Sequence, residues 1–404
     1  MKHLRKIIYG ITTAALLVAT FTTSTYAWLN FSAKAEVSGF SFTATSGMGF
    51  KISIDNKNWT SHLSLADIEK SALMSYDSSI YRLDEDGETF YKLNNSNQWV
   101  EMSETDINKD VAEKIQLLPV TTKNGRDFTD LYGGRSSTAS GNFMEFFVYF
   151  KTTSNKASDN LSYDIYLNGE EKISDDGEVL KPTSITSDTT NVQLRTDMDT
   201  IVYNPSTHEK SLITLSKGGN VVVYSSNALR FSTVESANMV TKDGSGNPIY
   251  ELDDQNNPKL DEQGNPIPVM AYQTVEDSSL IFELNDTEHL YKDLGSYASN
   301  YDESTSPYSE KYYLYSSNCN AMYTYYNRLR TRAPLTTRLP GYESLPTTIK
   351  SLADKDKITT LSSGEDAKKI TFRFWLEGWD ADCFDGLSKS INVGLSFGSK
   401  KASS

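Results

Sequence analysis

The sequence predicts an all-β fold: a jelly-roll-like β-sandwich with long polar insertions and a few short helices. Ser, Thr, Asn, Asp and Tyr are abundant while helical apolar periodicity is scarce, which favours strands joined by polar loops. The 24 tyrosines and 17 phenylalanines supply aromatic side chains for a core. Alternating apolar segments occur near both ends of the 404-residue chain, with polar stretches between them. One sandwich with large insertions explains this spacing better than a row of separate domains.

Residues 1–27 have the layout of a cleavable secretory signal. A basic start precedes the apolar run Ile7 to Phe21, and Thr25-Tyr26-Ala27 ends the segment with small residues at its first and third positions. We expect cleavage after Ala27, export by the general secretory route, and a single sandwich domain over residues 28–404 that is extracellular or on the cell surface. The alternative is a retained anchor, because the apolar segment is about long enough to span a membrane.

The expected mature chain begins with an alternating segment. Every second residue from Phe31 to Val37 is apolar, and Ser32, Lys34 and Glu36 lie between them. This pattern predicts a half-buried strand at the new amino terminus. Because an unpaired edge strand seeks a partner sheet, we expect self-association or pairing with other surface proteins. The expected assembly strand consists of Trp28, Leu29, Phe31, Ala33, Ala35 and Val37.

Alternation and turn residues place the next elements. Phe40 to Ala44 and Phe50 to Ile54 alternate as strands that would open the sandwich. A short helix is predicted over Leu63 to Met74, with Ser64 as its amino-terminal cap. The segment Leu83 to Glu88 contains Asp-Gly and predicts a hairpin turn.

The strongest strand signal is the aromatic run Phe143 to Phe150, which we expect to be buried on both faces. Tyr163 to Leu167 is a further strand, closed by a predicted turn at Asn168-Gly169. The remaining core strands are predicted at Val221–Tyr224, Ala228–Phe231, Ile370–Leu376 and Ile391–Phe397.

An insert at about residues 240–270 repeats one turn-forming pattern three times. Lys242 to Tyr250, Leu252 to Pro258 and Leu260 to Ile267 each place Asp, Asn or Gly where a tight turn needs a positive φ. We expect a meander of small surface hairpins, since no unit is long enough to be a solenoid repeat.

The charge balance limits the classes of partner. A formal net charge of −14 favours solubility and repels nucleic acid and anionic lipid headgroups. We therefore expect no nucleic-acid partner, and contact with a membrane only through residues 1–27 if they are retained. An acidic surface attracts divalent cations, which makes calcium the one cofactor to consider.

Four carboxylates crowd the segment after Trp375, namely Glu377, Asp380, Asp382 and Asp385. They are compatible with solvated turn residues, with a loose calcium site, or with the paired carboxylates of glycoside hydrolysis. An EF-hand loop does not fit, because Phe384 stands at a ligand position and Asp385 stands where glycine is needed. Since nothing fixes the spacing of a glycosidase pair, we expect a protein that is not an enzyme.

Other catalytic patterns are incomplete in this sequence. Gly394-Leu395-Ser396-Phe397-Gly398 matches a nucleophile elbow, but that motif needs a following helix and a later histidine. We therefore expect Ser396 to be a strand residue. Neither a His-Glu-x-x-His motif nor a P-loop occurs. The only cysteines, Cys319 and Cys383, either pair as a disulfide or remain buried thiols.

A tyrosine-rich segment at about residues 290–335 is a candidate for ligand recognition. Ten of the 24 tyrosines lie between Tyr291 and Tyr326. Tyrosine covers a large area at low entropic cost and keeps a polar tip, which suits recognition of glycan or protein. The alternative is an ordinary Tyr-rich surface and core. The densest set, taken as a possible ligand-binding site, is Tyr312, Tyr313, Tyr315, Tyr323, Tyr325 and Tyr326.

The junction Ser24-Thr25-Tyr26-Ala27-Trp28-Leu29-Asn30 resembles the start of exported TasA- and camelysin-type proteins of Gram-positive bacteria. The resemblance covers roughly the first fifty residues and the general sandwich pattern. It implies a jelly-roll subunit of biofilm-matrix fibres, in which the mature amino-terminal strand completes the sheet of the next copy. No residues match a protease site, although camelysin-like proteins are credited with that activity. The leading expectation is an exported structural protein, and the alternative is a surface adhesin that binds through its Tyr-rich segment.

Overall fold

The computed structural model describes fifteen stretches of the chain, and every structural statement below concerns these residues. They are residues 37–44, 49–122, 124–130, 135–153, 161–173, 179–180, 182–187, 189–193, 198–204, 209–216, 220–224, 226, 229–282, 355–377 and 391–402. Within these ranges the chain forms 24 strands, two α-helices and one short 3₁₀ helix at Thr138–Ser140. No helix in this part of the chain is long and apolar enough to cross a membrane.

The helices are α1 (Leu65–Tyr76) and α2 (Glu104–Lys114). The strands are β1 (Val37–Ala44), β2 (Phe50–Ser53), β3 (His62–Leu63), β4 (Tyr81–Leu83), β5 (Phe90–Leu93), β6 (Trp99–Glu101), β7 (Pro119–Thr122), β8 (Phe128–Asp130), β9 (Arg135–Ser136), β10 (Met144–Thr152), β11 (Ser162–Leu167), β12 (Lys172–Ile173), β13 (Val179–Leu180), β14 (Ser184–Ser187), β15 (Thr189–Gln193), β16 (Met198–Asn204), β17 (Glu209–Leu215), β18 (Asn220–Tyr224), β19 (Leu229–Val240), β20 (Met270–Thr274), β21 (Leu280–Phe282), β22 (Thr359–Ser362), β23 (Lys368–Glu377) and β24 (Ile391–Lys401).

Two large sheets form the body of the fold. The first has the strand order β22-β11-β24-β1-β3, with β14 also paired to β24. In the second, β23 is central and pairs antiparallel with β10 on one side and β19 on the other. Strand β2 extends this sheet beyond β10, and β20 and β21 extend it beyond β19. The strands β7, β8 and β9 join it at the end of β23.

Aromatic side chains hold the two sheets together. Phe397 of the first sheet contacts Phe150 and Phe372 of the second edge-on, with ring centroids 5.3 and 5.9 Å apart. Within the second sheet, Phe374 stacks between Phe146 and Phe231 at 5.8 and 5.0 Å. All six rings are fully buried. The predicted all-β sandwich with a few short helices is therefore confirmed.

Strand β10 departs from the prediction on one of its faces. Its residues alternate strictly between buried and half-buried, so the expectation of burial on both faces is wrong. The reason is that β10 lies in an antiparallel region, where one face can stay partly solvated. Glu145 on this face forms an ion pair with Arg373 of β23 at 2.5 Å.

The predicted hairpin turn at Asn168-Gly169 is also wrong. Asn168 continues along β24, and its N–H donates to the Ser396 carbonyl at 2.7 Å. The chain then leaves the sheet, forms the small β12–β13 hairpin, and returns to the same strand as β14. Pairing with β24 thus overrides the local turn preference of Asn-Gly. The strand at Val221–Tyr224 exists as β18, but it pairs with β15 in a separate two-stranded sheet.

Both helices belong to a small unit beside the sandwich, here called the helix–hairpin unit, which comprises α1, α2 and the three-stranded sheet β4-β5-β6. Helix α1 begins as predicted after Ser64, which forms a capping box with Asp67. The predicted turn after Leu83 is confirmed, since β4 and β5 pair antiparallel. A buried cluster fills the unit and consists of Leu73, Tyr81, Phe90 and Ile107.

Candidate functional site

Strand β1 lies directly after the expected assembly strand. It pairs in parallel with β24 from Val37 opposite Ile391 to Ala44 opposite Phe397. The register shifts between Val37 and Gly39, which marks a bulge at the start of the pairing. The first and last strands described are therefore neighbours in one sheet.

The opposite edge of β1 is covered over only a short length. Strand β3 pairs with Phe42 and Thr43 alone. In the part of the chain that the structure describes, no second strand pairs with residues Val37 to Ser41 on this edge. A strand edge of this kind presents backbone N–H and C=O groups to which another strand can be added.

Only one residue of the expected assembly strand falls within the described part. Val37 is the first residue of β1 and pairs within its own molecule's sheet. The other five members, Trp28, Leu29, Phe31, Ala33 and Ala35, lie outside the described residues. In the sequence they run directly into β1, so an assembly strand would be continuous with a strand of the sandwich.

The Tyr-rich candidate and the two cysteines fall outside the described residues. This applies to Tyr312, Tyr313, Tyr315, Tyr323, Tyr325, Tyr326, Cys319 and Cys383. The adhesin alternative and the disulfide therefore stay predictions from sequence.

The acidic segment after Trp375 is described only at its first member. Glu377 ends β23 and is 1% exposed, and its Oε2 accepts a hydrogen bond from Nε1 of Trp375 at 3.1 Å. Glu377 is thus a buried structural carboxylate, and its interpretation as a solvated turn residue is wrong. Asp380, Asp382 and Asp385 lie outside the described residues. Across the described ranges, no group of three or more His, Cys, Asp or Glu side chains is arranged to hold a metal ion.

Ser396 has the structural role expected of it. It lies within β24 and is buried. Its N–H donates to Oγ1 of Thr183 at 2.9 Å, and the Thr183 hydroxyl donates back to the Ser396 carbonyl at 2.9 Å. These bonds hold the point where the chain returns to β24. The prediction of a strand residue is confirmed, and a nucleophile elbow does not form.

The insert forms the expected meander, and rings of hydrogen bonds close it. The N–H of Ile249 donates to the Thr241 carbonyl, that of Val269 to Ile249, and that of Thr241 to Val269, each at 2.8 Å. A second ring links Glu251, Lys259 and Ile267 in the same way at 2.8–2.9 Å. Two cyclic triangles of backbone bonds thus tie three hairpin turns together.

The same insert exposes apolar side chains that sequence reasoning missed. Leu252 and Leu260 are 51% and 59% exposed, and Ile249, Tyr250 and Met270 are also exposed. In the sequence these residues lie in or beside short extended segments. Apolar residues at such positions are also typical of half-buried strands, so the sequence alone does not predict their exposure. Their exposure depends on the closed geometry of the meander, which local pattern does not reveal.

Comparison with protein-family models, with curated proteins and with solved structures gave no match.

Proposed function

We propose that this protein is an exported structural protein of the cell surface or extracellular matrix, whose copies assemble by strand pairing. The observation that carries the proposal is the outer edge of β1, which β3 covers at two residues only. The sequence places an alternating apolar segment immediately before that edge, after a predicted signal peptide. In an assembly, residues 28–36 of one copy would pair with the β1 edge of the next.

This arrangement suits the physical requirements of a polymer. Each copy offers one donor segment and one acceptor edge, which are different surfaces, so the contact is heterologous and builds an open chain when the rotation between copies does not close a ring. Backbone hydrogen bonds would supply affinity, and the apolar face of the donor would supply specificity. The TasA-type resemblance of the leader junction points to the same kind of matrix subunit.

The test compares variants of the mature chain, residues 28–404, by electron microscopy and by mass in solution. Lysine at Phe31 and at Ala35 places charges on the apolar face of the donor, and we expect these substitutions to abolish assembly. Ser32→Lys is the matched control, because Ser32 belongs to the opposite, polar face of the alternation. Assembly that survives F31K and A35K, or that is lost equally in S32K, would overturn the proposal.

A further inference from the structure

A cavity in the helix–hairpin unit has the properties of a ligand site. It lies between the β5–β6 hairpin and helix α2 and has a volume of about 490 Å³. Small-molecule sites typically measure about 300–1,000 Å³ and combine apolar walls with a few placed polar groups. None of its lining residues belongs to β1 or to the Tyr-rich segment in the sequence.

Asp110 is the central polar group of this cavity. Its side chain is 10% exposed, and its Oδ2 accepts two hydrogen bonds of 2.6 Å, from the Tyr81 hydroxyl and from Nζ of Lys92. Both partners converge on the same oxygen. Among the described residues, none donates to Oδ1 of Asp110. Because an ionised carboxylate accepts through both oxygens, Oδ1 is left for a donor that enters from the cavity.

The charges of the lining nearly cancel, which disfavours a strongly charged occupant. Lys92 and Lys109 contribute two positive charges, and Glu101, Asp106 and Asp110 contribute three negative ones. An anion would face the carboxylates and a cation would face the ammonium groups. A neutral ligand with many hydroxyl groups avoids both repulsions and can use donors and acceptors together.

The apolar part of the lining completes the match. Val100 and Met102 supply an apolar wall, in which Val100 lies opposite Lys92 on the same face of the β5–β6 hairpin and is 49% exposed. A sugar ring presents C–H groups on its faces and hydroxyls at its rim, so it can contact such a wall and polar groups at once. We propose that this cavity binds a neutral saccharide, with Oδ1 of Asp110 accepting from a sugar hydroxyl and Lys92 donating to a sugar oxygen.

Calorimetric titration of the mature chain tests the proposal with defined probes. The neutral probes are cellotetraose, chitotetraose and mannotriose; the charged counterparts are the chitosan tetramer and tetragalacturonate. We expect saturable binding of at least one neutral probe and weaker binding of both charged ones. Lys92→Met and Asp110→Asn should each weaken binding by about tenfold or more, as expected for a lost hydrogen bond to a charged group.

Two further variants separate binding from folding. Val100→Asp places a charge on the exposed wall, where it should block the sugar without disturbing the buried cluster. Lys259→Met, in the insert and not part of the cavity lining, is the control that should bind as the parent does. The proposal is overturned if no neutral probe binds the parent chain, if a charged probe binds more tightly, or if V100D and K92M bind as tightly as the parent.

Discussion

The hydroxyl of Ser71 on helix α1 forms two hydrogen bonds with the backbone of Phe147 on strand β10. It donates to the Phe147 carbonyl at 2.7 Å and accepts from the Phe147 N–H at 2.9 Å. Strand β2 pairs with β10 only from Tyr149 onward, so Ser71 satisfies the edge of β10 where β2 has ended. The protein thus covers this edge with a helix.

Removal of the Ser71 hydroxyl should destabilise the protein. Ser71 is fully buried, so Ser71→Ala would leave the N–H and C=O of Phe147 without their partner. We expect the free energy of unfolding to fall by about 1–3 kcal/mol, measured by chemical denaturation. Ser78→Ala, at an exposed serine just beyond the same helix, is the control and should be neutral. Equal stability of S71A and S78A would show that the two hydrogen bonds between Ser71 and Phe147 contribute nothing to stability.

Glu69 should make the helix–hairpin unit less stable as the pH rises. Burial, with a further contribution from the Glu104 carboxylate, raises the pKa of Glu69 to about 7 from its ordinary value of 4.5. The unfolded chain therefore loses this proton at lower pH than the folded one, and stability is lost as the pH rises from about 4.5 to about 7.

Glu69→Gln removes that titration and keeps a polar side chain beside Asn108, whose amide nitrogen lies 2.9 Å from the Glu69 carboxylate when the amide oxygen and nitrogen are interchanged. We expect this variant to gain stability relative to the parent at about pH 8 and to gain less at about pH 5, measured by urea unfolding. Glu113→Gln, at an exposed position on α2, is the control. A gain that does not change between the two pH values would contradict the prediction.

The closed insert predicts a local effect of single aspartates. Oδ1 of Asp253 accepts hydrogen bonds from the N–H groups of Gln255 and Asn257, each at 2.9 Å. These backbone bonds, led by that from Asn257, hold the pKa of Asp253 below its usual value. Asp253→Ala should therefore lower amide-exchange protection across residues 241–269 and leave global stability unchanged. Asp254→Ala removes the neighbouring carboxylate, which accepts no bond in this turn, and protection should persist.

Local pattern predicted the elements well but not their partners. The Ser64 cap was sufficient to predict α1. Helix α2 begins with the same Ser-x-x-Asp box at Ser103. Few apolar residues follow it, so its sequence lacks the apolar periodicity that predicts a helix. The Asn168-Gly169 signal failed because a long-range partner competed with it.

The candidate sites also depend on long-range contacts that the local sequence pattern does not predict. Alternation predicts that β1 and β24 are strands, but the parallel pairing of Val37 with Ile391 joins opposite ends of the sequence. The cavity of the helix–hairpin unit takes Lys92 from a strand and Asp110 from a helix, and Tyr81 of a second strand donates to Asp110, with no local spacing in the sequence to mark the three residues. Only tertiary packing brings such residues together.

A disulfide across β1 and β24 distinguishes two routes of assembly. Ser41 and Gly394 lie opposite each other in the parallel register, so Ser41→Cys with Gly394→Cys should lock β1 into its own sheet. If a neighbour adds its strand to the outer edge, as we propose, the locked protein should assemble as the parent does. Ser41→Cys alone is the control, and peptide mapping verifies the introduced bond. A locked protein that stays monomeric until it is reduced would show instead that β1 must leave its sheet, because a strand held covalently against β24 cannot be exchanged between copies.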